Sequence, residues 1–270
     1  MNEKSVVPAL DRGLDVIECM ASRAEALSLT EIAHAVERTV SEVQRTVAQL
    51  TARAYLVRDD RGHYRLSTKL FRLATLYPPF RDLVGRAVAP LQRFADATSE
   101  SVHLCVLSDD LLLLVGQAEG HGVVRISLRL GSTQDPLTTV SGRVLLSGLS
   151  PGEFEAFCAR RRLSRAERAR LAAACGGIRE RGYEYAPSAR VQGVHDLGLP
   201  VTLPGPTIIA AVTTPFLPVK AHKPSFTHLL LPLREAARAI AASYEPPSAL
   251  DDAPAPAIEK RKLAAVRGKR

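Results

Sequence analysis

The stretch "SLTEIAHAVERTVSEV", residues 28–43, contains one small pattern twice: Ser28-x-x-Glu31 and Thr39-x-x-Glu42. Each reads as a capping box, in which a hydroxyl accepts from an orphan amide at a helix start and a glutamate three residues on reaches back to the cap. Two starts eleven residues apart leave room for one short helix that must end before a second begins, and a tight helix-turn-helix is the economical solution. The apolar spacing agrees. After Ser28, the residues Leu29, Ile32, Ala33 and Val36 share a face; after Thr39, Val43, Val47, Leu50 and Ala54 do so, leaving Ser41, Arg45 and Ala48 opposite, with Gln44 and Gln49 on the flanks. Upstream, Leu10, Leu14 and Ile17 predict the buried stripe of a helix from Pro8 to about Met20, with proline in its first turn.

Past Ala54 the pattern changes. "YLVRDDRGHYRLS" places Tyr55, Leu56 and Val57 before a turn at Asp60 to Gly62, then alternates His63, Tyr64, Arg65 and Leu66, which predicts a β-hairpin. Three helices and a basic hairpin make a winged helix-turn-helix, whose third helix enters the major groove while the wing follows the backbone. Gln44 and Arg45 can reach adenine or guanine edges with paired hydrogen bonds, and Thr39 and Ser41 are short enough for phosphates or bases. Ser28 and Thr30, at the second helix's start, join them as candidate DNA contacts, and Arg58, Arg61 and Arg65 on the wing are candidate phosphate contacts. Glu42 has two readings: an acceptor for cytosine, or the capping partner of Thr39.

Charge supports this placement. Residues 1–37 hold three Lys/Arg against seven Asp/Glu, net −4, and residues 38–72 hold eight against three, net +5, within a chain of formal charge +8. Cations gathered in one segment suit a phosphate-facing surface, where they release condensed counterions, although a solvated basic face has the same composition. The four cysteines, Cys19, Cys105, Cys158 and Cys175, lack ligand spacing and are expected to be reduced and mostly buried, with no metal or cofactor. No apolar run approaches the roughly 18 residues of a membrane span, and the N-terminus lacks a secretory signal, so a soluble cytoplasmic protein, associated with the nucleoid through DNA, is expected.

"LSLTEIAHAVERTVSEVQRTVAQLTARAYLVRDDRGHYRLS", preceded by "ALDRGLDVIECM", resembles the DNA-binding domain of the isocitrate-lyase-regulator (IclR) family of bacterial transcription factors. The turn departs from the family pattern: Glu37-Arg38-Thr39 stands where Gly-Leu-Pro is usual, and Glu42 and Gln44 stand where Thr and His are common. The next segment is helical through Leu70, Leu73 and Leu76, is broken by Pro78-Pro79 and resumes through Leu83, Val84, Val88, Leu91 and Phe94. In the family, this helix joins the domains and helps the DNA-binding modules dimerise; packing within one chain is the competing explanation.

From Ser101 the period becomes two. "SVHLCVLSDDLLLLVGQAEG" predicts two strands around Asp109-Asp110, and "VVRISLRLG" alternates Val124, Ile126, Leu128 and Leu130 against Arg125, Ser127 and Arg129 as a third. Helices are expected at the capping box of "SPGEF" and at a fourth, Ser164-x-x-Glu167, that opens "SRAERARLAAACGGIRERG" and runs to Gly182, strands at Val194 to Leu203 and Thr207 to Thr214 about a Pro204-Gly205-Pro206 turn, and a last helix carrying Phe226, Leu229, Leu233, Ala237 and Ile240. The fold class is α+β.

The landmarks "GSTQDPLTTVSGRVLLSG", "IRERGYEYAPSARVQGVHDLGLPV" and "PTIIAAVTTP" resemble the family's GAF-like effector-binding domain. The resemblance implies a small metabolite, of the organic- or aromatic-acid kind, held at Thr138, Thr139, Val140 and Ser141 and by residues of the last strands: Asp196, where relatives often have Cys, and Ala211 and Thr213, where they have Ser. Relatives carry an acid at the position of Ala186. An inward Asp196 repels a carboxylate unless Arg125, Arg129 or His195 compensates or the ligand brings a hydroxyl or amine; Asp196 reads equally as a turn or strand-end residue bonded to amides. His103, His121 and His195 show no metal spacing and are expected to be satisfied or at the surface.

The expected organisation is a winged helix-turn-helix at 1–67, a linker helix at 68–82, a GAF-like effector-binding and oligomerisation domain at 83–245 and a disordered basic tail at 246–270. The expected function is repression or activation of transcription: a homodimer or homotetramer on a double-stranded, inverted-repeat operator, modulated by a small-molecule effector, without a membrane partner. The rivals are a small-molecule-modifying enzyme and a ligand-free architectural DNA binder. No G-x-S-x-G, P-loop or H-E-x-x-H occurs, "GHGVVR" has Arg125 where a third Gly belongs, and His195 and Asp196, adjacent on a strand, point to opposite faces. A ligand-free binder has no need of the large second domain.

Overall fold

The computed structural model describes residues 7–122, 124–205, 207–218 and 226–244, and the chain divides into two units, Met1–Leu83 and Val84–Arg270. The first contains α1 (Pro8–Ala21), α2 (Leu29–Ala35), α3 (Val40–Ala52), β1 (Leu56–Arg58), β2 (Tyr64–Leu66) and α4 (Lys69–Leu76). Both expected capping boxes close. Ser28 Oγ accepts from the Glu31 amide at 3.3 Å while Glu31 Oε2 accepts from the Ser28 amide at 2.7 Å, and Thr39 with Glu42 repeats the arrangement. The strands pair antiparallel with Leu56 opposite Leu66, and Leu27 extends the wing through backbone bonds to Tyr64 of 2.9 and 2.7 Å. Val16, Met20, Ile32, Ala33, Val43, Val47 and Leu56 form the core.

Two details differ from expectation. The stripe Leu10-Leu14-Ile17 is not the buried face of α1: Leu10 is 59% exposed and Leu14 46%, while Val16 and Met20 are buried. A helix with two apolar faces gives no sign in its own periodicity of which one its chain covers. Ala54 lies past the end of α3, exposed, at φ +57°.

The turn between α2 and α3 holds Glu37 at φ +54°, a region that costs an L-residue roughly 1–2 kcal/mol and glycine little. Replacing Glu37 with glycine, the residue usual there in the resembling family, is expected to raise the stability of this unit by about 0.5–1 kcal/mol, the strain relieved exceeding the entropy glycine adds to the unfolded chain. Thermal unfolding of the variant checks the sign; a lower melting temperature overturns it.

The unit boundary falls within α5 (Pro78–Thr98). Beyond it lie β3 (Val102–Ser108), β4 (Leu111–Ala118), β5 (Thr133–Gln134), α6 (Val140–Leu146), α7 (Pro151–Arg160), α8 (Arg165–Arg181), β6 (Glu184–Pro187), β7 (His195–Thr202), β8 (Ile208–Phe216) and α9 (Thr227–Ala242). The sheet is antiparallel in the order β5-β4-β3-β8-β7-β6. One face is covered by α6, with Val140, Val144 and Leu145 packed on Cys105, Leu114 and Ala211. Behind it α7 and α8 enclose Phe157, Cys158, Leu171 and Cys175. Phe226, at the start of α9, stacks on Tyr185 of β6, and α9 packs along β7 and β8.

The capping boxes at Ser150 and Ser164 also form, and α8 stops at Gly182, whose φ of +75° suits glycine. The expected strand through Val124 to Leu130 does not form: this stretch is irregular, and the two-residue β5 pairs with β4 instead. Only the middle of its alternation survives as sidedness: Ile126 and Leu128 turn to the cavity wall, while Val124 and Leu130 are exposed. All four cysteines are free, three of them buried. Pro206 and the 246–270 tail lie outside the described residues.

Candidate functional site

In the first unit the expected DNA contacts collect on α3 and the wing. Glu42 Oε2 accepts from the Thr39 amide at 2.9 Å and from its hydroxyl at 2.7 Å, and those bonds hold the Glu42 carboxyl below its usual range. Glu42 therefore serves as the cap, one of its two readings. Ser41 Oγ lies 3.2 Å from Thr39 Oγ1. Opposite the buried Val43 and Val47, Ser41, Gln44 and Arg45 are exposed, and no hydrogen bond or ion pair engages Gln44 or Arg45 among the described residues. Ser28 is committed to its cap and Thr30 is exposed beside it.

The wing orders its cations unequally. Arg58 donates to the Gly62 carbonyl at 3.4 Å and lies 5.6 Å from the Tyr64 ring centre, whereas Arg61 and Arg65 are exposed, Arg61 near enough to Asp59 to help hold that carboxyl below its usual range. Asp59 shapes the turn by accepting from the amides of Arg61 and His63 at 3.0 and 2.8 Å. A capped helix with a free Arg/Gln edge beside an outward basic hairpin has the donor geometry of major-groove readout.

The second unit holds a cavity of about 70 Å³ between the sheet and the start of α6. Thr138, Thr139, Val140 and Ser141 form one wall, and Asp196 and Thr213 come from β7 and β8. Six of the seven expected effector residues therefore meet here. Ala211 does not line the cavity; it is fully buried in the core with Cys105, Val140 and Val144. The remaining wall includes His103, Cys105, Leu112, Ile126, Leu128, Gln134, Ser188, Arg190, Val191 and Pro215, residues that sequence reasoning did not assign. Alternation could not have marked His103 and Cys105, because β3 is buried on both faces, Val102 and Leu104 as fully as they are.

Polar groups of the cavity are arranged around the sheet. His103 and Thr213 are cross-strand partners, as are Asp196 and Pro215, and Thr213 Oγ1 lies 2.8 Å from Ser141 Oγ. His103 is only 4% exposed, its Nε2 has no hydrogen-bond partner among the described residues, and burial pushes its pKa down to about 4, so the ring is neutral near pH 7. That corrects the expectation of a satisfied or surface histidine; His121, in contrast, is exposed and pairs with Asp96 at 2.9 Å. Burial raises the Asp196 pKa, opposed first by a hydrogen bond from Ser188 and then by Arg143 and His195. The cations considered for Asp196 lie elsewhere: Arg125 pairs with Glu119 at 3.3 Å and Arg129 is off the wall. Arg143, engaged with Glu184 at 2.6 Å, acts from behind, and Arg190 is the cation on the wall. His195 points to the opposite face and stacks on Tyr185. Cys105, its thiol pushed up to about 12 by burial, is no nucleophile near neutrality.

Among the described residues no cluster of His, Cys, Asp or Glu is suited to a metal, and no helix is long and apolar enough to cross a membrane. Two family models match the chain: the IclR helix-turn-helix domain over residues 9–60 and the bacterial transcriptional regulator IclR C-terminal domain over residues 80–242. The HTH-type transcriptional regulator BhcR of Paracoccus denitrificans is 28% identical over 202 residues, 72% of this chain and 72% of its own. An IclR homolog complexed with 4-hydroxybenzoate, from Microbacterium hydrocarbonoxydans, shares the fold with a TM-score of 0.73 at 22% identity, over 87% of this chain and 98% of that one. The IclR of Thermotoga maritima does so at 0.67 and 19%, over 87% and 97%.

Proposed function

The chain belongs to the IclR family of bacterial transcriptional regulators, and we propose that it binds an inverted-repeat operator as a dimer or tetramer, under the control of a small metabolite in the cavity of its second unit. Two helix-turn-helix units related by a twofold axis read two half-sites, with α3 in the major groove and the wing along the backbone. The observation that carries this reading is the capped α3, which presents Arg45 and Gln44 without partners beside the outward Arg61 and Arg65. Thr39, Ser41, Ser28, Thr30 and Arg58 add contacts to phosphate or base.

Self-association is supported by apolar side chains that the first unit leaves uncovered: Val7 at the cap of α1, Leu10 and Leu14 on it, and Phe71, Leu73 and Leu76 on α4. We assign the DNA-binding domain to 1–67, a linker helix to 68–82 and the effector-binding domain to 83–245. Thr138 to Ser141, Asp196 and Thr213 are the effector residues. The aromatic acid held by the Microbacterium homolog supports an acid as the class of ligand. Such a ligand alters operator affinity only as far as it binds the DNA-competent and DNA-incompetent states unequally.

The test is binding of the full chain to a labelled fragment from upstream of its own gene, against a scrambled duplex of equal length, at physiological salt where weak non-specific binding is suppressed. Selective retention of the native fragment is expected. Equal binding to both duplexes, unchanged by small acids, overturns the operator reading.

A further inference from the structure

We infer that the cavity takes a short hydroxy or amino acid: a carboxylate held by the neutral donors around His103, and a second hydrogen-bond donor, two or three atoms away, held by Asp196. The inference rests on the proposed effector role of this cavity and narrows what fills it.

The distribution of polar groups carries the argument. At one end His103, Thr213 and Ser141 stand together, tied by the His103–Thr213 strand pairing and the 2.8 Å contact between the two hydroxyls. An imidazole nitrogen that is buried, neutral and unpartnered beside a cavity is rare, because an unmade buried hydrogen bond is costly. Its natural complement, in the Nε2–H tautomer, is a ligand oxygen that accepts from Nε2–H and from the one hydroxyl hydrogen that the Ser141–Thr213 bond leaves over. At the other end Asp196 accepts from Ser188 on the same wall and stands opposite Pro215, which has no side-chain donor to add; a carboxylate has lone pairs for a further donor.

From β3 to β7 the sheet advances two strands, and from Thr213 to Pro215 two residues, so the two ends lie roughly 10 Å across and 7 Å along the sheet at the backbone. The side chains reach inward over the Thr213–Pro215 floor and leave a gap that a single carboxylate does not bridge. About 70 Å³ of space corresponds to roughly five to seven water-sized centres, the size of a two- or three-carbon acid with one further polar group. Leu112, Ile126 and Leu128 close the sides with apolar surface. An unsubstituted acid held at the His103 end leaves Asp196 with its Ser188 bond and no donor from the ligand, and one held at the Asp196 end meets a carboxylate, with Arg190 as the cation on the wall to offset it. A hydroxyl or ammonium group removes both penalties.

Calorimetric titration of the full-length protein with 3-hydroxypropionate, glycerate and L-serine, each against propionate, tests this directly. The substituted acids are expected to bind roughly tenfold or more tightly, as a hydrogen bond to a charged acceptor implies, and serine separates the ammonium source of the donor from the hydroxyl source. In Asp196→Asn, nearly the same shape, that preference is expected to collapse toward unity, and His103→Ala is expected to weaken all the acids alike; the wild-type comparison stands if either variant fails to fold. Propionate binding as tightly as its substituted partners overturns the donor inference and leaves the effector site in place. Binding by 4-hydroxybenzoate but by none of the short acids overturns the size. If none of these acids binds, the effector reading falls with the inference.

Discussion

Replacing Arg45 with alanine is expected to weaken binding to the native operator roughly tenfold to a hundredfold while non-specific DNA binding changes little, the loss that follows when a bidentate contact to a guanine edge is removed. The expectation follows from where the side chain stands. Arg45 lies on the face of α3 opposite Val43 and Val47, within two turns of a helix start fixed by Thr39 and Glu42, and no hydrogen bond or ion pair among the described residues holds it. Truncation therefore removes no internal contact, so the melting temperature is expected to stay unchanged. Arg61→Ala provides the contrast. On the proposed reading its exposed guanidinium at the wing turn meets phosphate, so its loss is expected to weaken native and scrambled duplexes alike and to lower the salt dependence of binding by about one unit of log–log slope. If Arg45→Ala behaves like Arg61→Ala, α3 is held against the backbone rather than in the groove, and base readout passes to other residues.

The features legible in the sequence are those whose physics is local. A capping box needs four consecutive residues, and all four read in this way, at Ser28, Thr39, Ser150 and Ser164, close in the structure. The wing turn and the Gly182 stop are equally local. What failed depended on partners distant in sequence. Leu10 and Val16 both look like core residues of α1, and only the placement of α2 and α3 decides that Val16 is buried and Leu10 exposed. Ile126 and Leu128 alternate as a strand does, but β5 takes the place beside β4.

The cavity shows the same division. The family resemblance pointed to Thr138–Ser141, Asp196 and Thr213, which converge from α6, β7 and β8. It could not point to His103, which enters because β3 happens to pair with β8 at Thr213. Nor could it show that Ala186 and Asp196 are direct cross-strand partners.

Gly142→Ala is expected to cost the second unit about 3 kcal/mol or more, at or beyond the upper end for an overpacked core, because both neighbours of this position are held rigidly. Gly142 is the third residue of α6, and its amide donates to the Thr139 cap at 3.1 Å. A Cβ there would stand 2.2 Å from the Pro136 carbonyl oxygen and 2.3 Å from its Cα, backbone atoms that no rotamer change can move aside. The 135–138 segment is pinned: Asp135 accepts from the Leu137 amide at 3.0 Å and from Arg161 at 2.7 Å, and Thr138 Oγ1 donates to the Asp135 carbonyl at 3.0 Å. Retreat of α6 in the other direction is blocked by the sheet, where Val140 already lies so close to Gly198 that a Cβ on that strand would be 2.7 Å from it. The helix start and the cavity wall must therefore shift together, so the variant is expected to lose ligand binding as well as stability. For a unit of this size the melting temperature falls by roughly 6–12 °C, and calorimetry should show that transition moving while the transition of the DNA-binding unit stays. Gly152→Ala, on α7 with open space around it, is the matched control, expected to be neutral or slightly stabilising because alanine favours the helix. Wild-type melting and ligand response in Gly142→Ala would mean that α6 is not seated as tightly as these distances require.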